Sequence, residues 1–197
     1  MGLLLASTSP RRRFLLERAG VALVAIAGPD VAEVRDETEG PVDYAARLAR
    51  DKAHAVDQPG HWVLGADTVV HLGDRVLEKP ADRAENEDML RTLSGRWHLV
   101  TTAWCLRWCG PDEPPGGDSP IERRTTTRVS FRPLSDSDIN SYLDIGESLD
   151  KAGGYAIQGE GAALIGSVDG SFTNVIGLPL DQLIPILARL GLAPEPA

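Results

Sequence analysis

The stretch Leu3-Leu4-Leu5-Ala6-Ser7-Thr8-Ser9-Pro10-Arg11-Arg12-Arg13 decides how the chain is read. Its apolar run predicts a short buried strand over residues 3–6. Ser9 suits an N-cap and Pro10 the first helical position, where a missing N–H costs nothing, so a helix is expected from there to Gly20. A helix that starts at a strand end presents free backbone N–H groups and the positive end of its dipole, which favour an anion. Arg11, Arg12 and Arg13 oppose that dipole unless something negative lies between them. A bound polyphosphate resolves the conflict; a solvated helix face is the plainer alternative for such a triple.

A chain of 197 residues, 42% hydrophobic and 25% charged, can bury a full core as a single domain over 1–197, or as one domain with two joined lobes. No stretch approaches the ~20 apolar residues of a membrane span, and the N-terminus lacks the pattern of a secretory leader, so a soluble cytoplasmic protein with no membrane partner is expected. The net charge of −9 argues against a nucleic-acid surface, which needs a basic footprint. An anionic ligand must therefore meet a local basic pocket. Cys105 and Cys109 lie in a strand-like run without metal-site spacing and read as structural thiols.

Alternating patterns along the chain predict a mixed α/β fold. An acidic loop holds Asp30, Glu33, Asp36, Glu37 and Glu39, followed by a helix from about Val42 to Ala55 that carries Lys52 near its end. Trp62 to Gly65 reads as a short strand stopping at Ala66, Asp67 and Thr68, and Val69 to Leu77 as a hairpin turning at Gly73 and Asp74. Lys79 and Pro80 precede a helix from Asp82 to Leu93. Strands are expected over Trp97–Trp108 and Ile121–Phe131, separated by a Pro- and Gly-rich, flexible surface loop at 110–120. Ser135 caps a helix to about Leu143, a glycine-rich segment spans Gly153 to Ala163, and Pro179 opens a last helix ending near Gly191. The tail at 193–197 is expected to fray.

The polar residues at element ends are few: Ser7, Ser9 and the arginines, Glu33, Lys52, Asp67 with Thr68, Lys79, and Gln158 between glycines. Cations that balance a triphosphate, beside carboxylates that hold a divalent ion or deprotonate water, fit phosphoryl chemistry on a nucleotide. Each residue also has a plainer role. Glu33 can be one more solvated acid, Lys52 a complement to its helix dipole, Asp67 a turn or cap residue, although Gly65 and Ala66 before it add little bulk and leave room for a ligand, Lys79 a surface lysine, and Gln158 a loop hydrogen-bonder. The chain has no Walker-type loop, no dinucleotide glycine fingerprint and no paired histidine and cysteine. His54, His61, His71 and His98 are scattered and read as structural or surface residues.

Read together, these residues resemble the Maf family of nucleoside triphosphate pyrophosphatases, earlier named septum-formation inhibitors. The matching pieces are Leu5-Ala6-Ser7-Thr8-Ser9-Pro10-Arg11-Arg12, Arg47-Leu48-Ala49 with Lys52-Ala53, Gly65-Ala66-Asp67-Thr68-Val69, and Glu78-Lys79-Pro80 with Asp82. They continue with Leu93-Ser94-Gly95 and His98, Asp150-Lys151-Ala152-Gly153 and Tyr155, Ile157-Gln158-Gly159, and Val175-Ile176-Gly177-Leu178-Pro179-Leu180, collinear over nearly the whole chain.

The resemblance implies an elongated twisted mixed sheet flanked by helices, two lobes and a central cleft, similar to inosine triphosphate pyrophosphatases. It further implies a homodimer, and hydrolysis of a nucleoside triphosphate between the α and β phosphates with a divalent metal, Mg²⁺ or Mn²⁺. By the same resemblance Asp67 is the proton acceptor that activates water. Ser7, Arg11, Arg12, Lys52 and Lys79 match phosphate-contacting positions, Lys79 being counted with the catalytic set, and Glu33 matches a carboxylate that places metal or water, sharing the metal with Asp67. The resemblance also counts Thr68 and Gln158 as substrate-binding positions, and the branch acting on 7-methyl-GTP carries Trp in place of Arg11, Gln in place of Thr68 and Glu in place of Gln158. Gln158 offers both a donor and an acceptor to the imide edge of thymine or uracil, which points to dTTP, UTP and modified pyrimidine triphosphates. A nucleotide-binding regulator of cell division stays open as a reading of a different class.

Overall fold

The Leu3 run forms strand β1 (Leu3–Ala6), buried throughout, in the computed structural model, which describes residues 1–36 and 38–195. Glu37 and the end of the expected frayed tail, Pro196 and Ala197, lie outside the described residues. Ser9 caps helix α1 (Pro10–Arg18), its hydroxyl accepting from the backbone N–H of Arg12. The chain then returns as an unanticipated strand, β2 (Leu23–Ala27), which pairs in parallel with β1 at one end of the sheet. Its apolar run Leu23-Val24-Ala25-Ile26-Ala27 carried the signal, overshadowed by the acidic loop that follows it.

Helix α2 (Pro41–His54) leads into strand β3 (His61–Leu72), which turns at Gly73 into the short strand β4 (Arg75–Leu77). Helix α3 (Arg83–Leu93) is capped by Asp82, and strands β5 (Trp97–Cys109) and β6 (Ile121–Phe131) form a long antiparallel pair. Helix α4 (Asp136–Ile145) starts in a capping box between Ser135 and Asp138. Two 3₁₀ turns, Ala152–Gly154 and Gly159–Leu164, fill the glycine-rich segment. Strand β7 (Ile165–Asp169), the short helix α5 (Phe172–Ile176) and helix α6 (Leu180–Arg189) complete the chain. The expectation of a mixed α/β fold holds: seven strands form one sheet in the order β2-β1-β3-β5-β6-β7, with β4 beside β3, parallel around β1 and antiparallel elsewhere.

Strand β3 does not stop at Asp67, as its sequence pattern had indicated. It runs unbroken because β5 pairs with it from His61 to His71 along one edge. The interruption is on the other edge. There β1 ends opposite Gly65 and β4 begins opposite Val70, so Ala66 to Val69 have no strand beside them among the described residues. This notch leaves one edge of residues 66–69 without a strand neighbour, although Ala66, Asp67 and Val69 stay buried.

Side chains of a strand alternate between faces. On one face Trp62, Leu64 and Ala66 join a core with α1 and α6 through Leu15, Leu16, Leu183 and Leu187, while Val70 joins a second core with α3 and α4 through Leu90, Leu93, Ile139 and Tyr142. Thr68 lies between these two apolar blocks. On the opposite face Val69 packs against Tyr44, Ala45 and Leu48 of α2. Gly65 is the close approach on that face: a Cβ there would stand 2.3 Å from the Ala49 carbonyl oxygen and 2.5 Å from the Ala53 nitrogen. The space beside Asp67 that the small Gly65 had seemed to leave for a ligand is therefore filled by α2.

Candidate active site

A cleft of about 540 Å³ opens at the notch, within the usual range for a small-molecule site. Its walls bring together Ser7 from the turn after β1, Arg11 and Arg12 from the start of α1, Glu33 from the acidic loop, Lys52 from α2, and Asp67 and Thr68 from β3. Lys79 after β4, Gln158 before the second 3₁₀ turn and the cap residue Ser9 line it as well, so ten of the eleven residues singled out in the sequence meet there. Arg13 does not join them; it is exposed on α1 and pairs with Glu17 at 2.6 Å.

Lys52 is the hub. Gly65 lets α2 lie on the sheet, and the buried ammonium reaches Asp67 Oδ1 at 2.7 Å and Glu33 Oε1 at 2.5 Å. Two of its three N–H donors are thus engaged, which leaves one for a ligand. Burial pushes the Asp67 carboxyl above the usual carboxylate range, against the pull of Lys52 and Arg12. Burial also pushes Glu33 upward, but the hydrogen bond and charge of Lys52, aided by Lys79 and Arg12, outweigh it and hold Glu33 below its ordinary value. Among the described residues only Lys52 hydrogen-bonds the Asp67 carboxylate, so its Oδ2 stays available to the cleft.

Arg12 is buried, and its partners are neutral oxygens. Nε donates to the Gly177 carbonyl at 3.0 Å, one terminal nitrogen to Ser7 Oγ at 3.1 Å and the other to Thr68 Oγ1 at 3.0 Å. A guanidinium has five N–H donors, so one remains on each terminal nitrogen, a fork suited to an anionic oxygen pair. Among the described residues no carboxylate forms a salt bridge with Arg12, and burial lowers its pKa. A buried cation that no carboxylate touches, with Asp67 and Glu33 acting on it only across a distance, favours an anion in the adjoining cleft. Lys79, exposed at the rim, likewise has no ion-pair partner among the described residues.

The cleft is more mixed in sign than the sequence indicated. Asp150 ties Arg11 at 2.9 Å and Lys151 at 2.5 Å, and Glu78, Asp150 and Lys151 all line the walls. Tyr44, Leu48 and Lys52 share one face of α2 at four-residue spacing, a pattern that could have marked Tyr44 in advance. The Tyr44 hydroxyl donates to the Glu33 carbonyl at 3.0 Å and so pins the acidic loop over Lys52. Thr68 was expected to meet substrate; its hydroxyl is engaged by Arg12 and by Thr102.

Among the described residues no histidine or cysteine enters the walls. His71 and His98 are buried and hydrogen-bonded, His98 pushed down to about 4 chiefly by burial and hence neutral. Cys105 and Cys109 are buried thiols, the former pushed up to about 12 by burial. Among the described residues no three His, Cys, Asp or Glu side chains converge as a metal shell. Glu33 and Asp67 are two hard oxygen donors, which suits a divalent cation that completes its shell with phosphate oxygens and water. Among the described residues no helix is long and apolar enough to cross a membrane.

The family model described as Maf-like protein matches residues 2–190. The chain belongs to the Maf family. A dTTP/UTP pyrophosphatase of Koribacter versatilis is 44% identical over 97% of this chain and 95% of its own length. Those of Symbiobacterium thermophilum and Anaeromyxobacter dehalogenans are 46% and 47% identical, each over 96% of this chain and 94% of their own. Among solved structures, a nucleoside-triphosphatase/dITP/XTP pyrophosphatase of Mycobacterium abscessus is similar with a TM-score of 0.45 and 16% identity, covering 97% and 95% of the two chains. The matched Maf region contains every cleft residue named above.

Proposed function

We infer that this Maf-family chain is a nucleoside triphosphate pyrophosphatase that cleaves the α–β phosphoanhydride of dTTP and UTP, giving the monophosphate and pyrophosphate. The observation that carries the reading is the buried Lys52 holding Asp67 and Glu33 across the notch from the two open N–H groups of Arg12. Full-length likeness to dTTP/UTP pyrophosphatases supports it.

In this reading Arg12, with Arg11, Lys79 and the Ser7 turn, grips the phosphates and fixes their orientation. Asp67 takes a proton from a water; the water oxygen bonds to the α phosphorus as the bond to the bridging oxygen breaks, and pyrophosphate leaves with that oxygen. Lys52 keeps the carboxylate aimed and offers its remaining N–H to developing negative charge. Glu33 and Asp67, together with the phosphates, would hold Mg²⁺ or Mn²⁺, which supplies charge neutralisation on the triphosphate.

Pyrophosphate release measured across a panel of nucleoside triphosphates with magnesium or manganese tests the proposal, with dTTP and UTP expected to lead. Tight nucleotide binding without release would instead favour the binding-only regulator. Chelation of the divalent ion is expected to lower release to background, restored on adding Mg²⁺ or Mn²⁺; full activity in chelator would remove the metal from the reaction.

Gln158 is exposed at the cleft and has no side-chain hydrogen bond among the described residues, so its amide is open to a base. Gln158→Glu replaces the donor half of that amide with an acceptor. It is expected to lower kcat/KM for dTTP and UTP by about tenfold to a hundredfold, the scale of one mismatched polar contact. Unchanged kcat/KM for both nucleotides would take base selection away from this residue.

A further inference from the structure

Arg12 is held by a closed ring of hydrogen bonds that runs out of the cleft wall and back. One terminal nitrogen donates to Thr68 Oγ1 at 3.0 Å, and Thr68 Oγ1 lies 2.9 Å from Thr102 Oγ1. Thr102 Oγ1 lies 2.8 Å from the Asn174 carbonyl, which also accepts from Gly177 N–H at 3.0 Å, and the Gly177 carbonyl accepts from Arg12 Nε at 3.0 Å. Every proton direction in the ring follows. A carbonyl can only accept, so the single hydrogen of Thr102 goes to Asn174; Thr68 must then donate to Thr102, and its free lone pair receives Arg12.

The ring is anchored from behind. Asn174 is fully buried in α5, and its side-chain amide donates to the Val100 carbonyl and to Thr127 Oγ1, both at 3.0 Å, which ties α5 to β5 and β6. Gly177 closes the ring at a φ of +137°, a backbone that L side chains rarely adopt, and a Cβ there would lie 3.4 Å from Arg12 Cγ. Thr102 is fully buried directly opposite Thr68 in the β3–β5 register, and it takes no place in the cleft wall.

We propose that Thr102 is a positioning residue: through the hydroxyl of Thr68 it fixes the rotation of the Arg12 guanidinium, so that its two unengaged N–H groups point into the cleft as a phosphate fork. The proposal rests on the triphosphate reading above. A valine side chain at 102 fills nearly the same volume but leaves Thr68 with no acceptor. Thr68 is then free to turn its hydrogen elsewhere, and Arg12 loses the constraint on one of its three engaged nitrogens. Hydrogen-bonded chains of this kind are worth more than their separate links because each hydroxyl orients the next.

The test compares Thr102→Val and Thr102→Ser in the full chain, with circular dichroism to confirm folding. Two readouts are taken: the Kd for inorganic tripolyphosphate by calorimetry, and kcat and KM for dTTP. Thr102→Val is expected to raise both Kd and KM about tenfold, the scale of one misdirected hydrogen bond to a charged group, while Thr102→Ser stays within about twofold of the parent. In an Arg12→Lys background, where no planar fork exists, Thr102→Val is expected to change Kd by less than about twofold, so the effects couple rather than multiply.

A merely structural role predicts another pattern. It would lower kcat through loss of folded protein, leave Kd and KM unmoved, and act equally in both backgrounds; that result overturns the proposal, as does failure of serine to restore binding. Absence of pyrophosphate release by the parent chain would defeat the functional reading alone, since the tripolyphosphate titration still reads the Arg12 fork.

Discussion

Asp67→Asn is expected to lower pyrophosphate release from dTTP by about 10²- to 10⁴-fold, the range contributed by a positioned general base. Asparagine keeps the shape of the side chain, and its oxygen can still accept from Lys52, which now meets Asp67 at 2.7 Å. The fold is therefore expected to survive. Substrate affinity should survive too, because the change removes a negative charge from the wall that receives the phosphates. The check is turnover alongside a calorimetric titration with a non-hydrolysable triphosphate. Turnover within threefold of the parent would reject Asp67 as the base. Lost turnover accompanied by lost binding would place its role in holding the ligand.

Gly65→Ala is expected to damage stability and activity together. The added methyl would overlap the Ala49 carbonyl and the Ala53 nitrogen, which are backbone atoms of α2 and cannot swing aside like a side-chain tip. The helix must shift away from the sheet. Overpacking of a close contact costs roughly 1–3 kcal/mol, occasionally more, and in a chain of this size each kcal/mol lowers Tm by about 2–4 °C. The same shift draws Lys52 away from Asp67 and Glu33, and misplacement by about 1 Å in such a site costs on the order of 10²-fold in rate. Thermal unfolding and pyrophosphate release well below the new Tm read the two effects separately. A Tm within about 2 °C of the parent with full activity would show that α2 does not rest on this glycine.

Local signals of the chain were strong where caps and apolar runs coincide. Ser9-Pro10, Asp82 and Ser135 start helices where their side-chain chemistry indicates, because satisfying the first backbone N–H groups is a property of a few adjacent residues. The cleft residues were legible for a related reason: polar side chains at element ends, in a pattern resembling the Maf family. The break assigned at Asp67 was misplaced because a strand's continuity depends on its neighbours. β5 sustains β3 through that point, and it is β1 that stops. The strand β2, whose apolar run is held in place by pairing with β1, was hidden by the acidic loop after it, and the helix α5 is a short element with a weak local signal of its own.

Composition and order along the chain thus determined the fold class, the caps and the inventory of cations and carboxylates. Tertiary structure decided what each of them does. Of three consecutive arginines, one is exposed on Glu17, one is tied to Asp150, and one is buried on neutral oxygens with two donors open. Sequence spacing cannot distinguish them, because their difference lies in residues 139 and 165 positions away, Asp150 and Gly177, brought beside α1 only when the sheet closes around its notch.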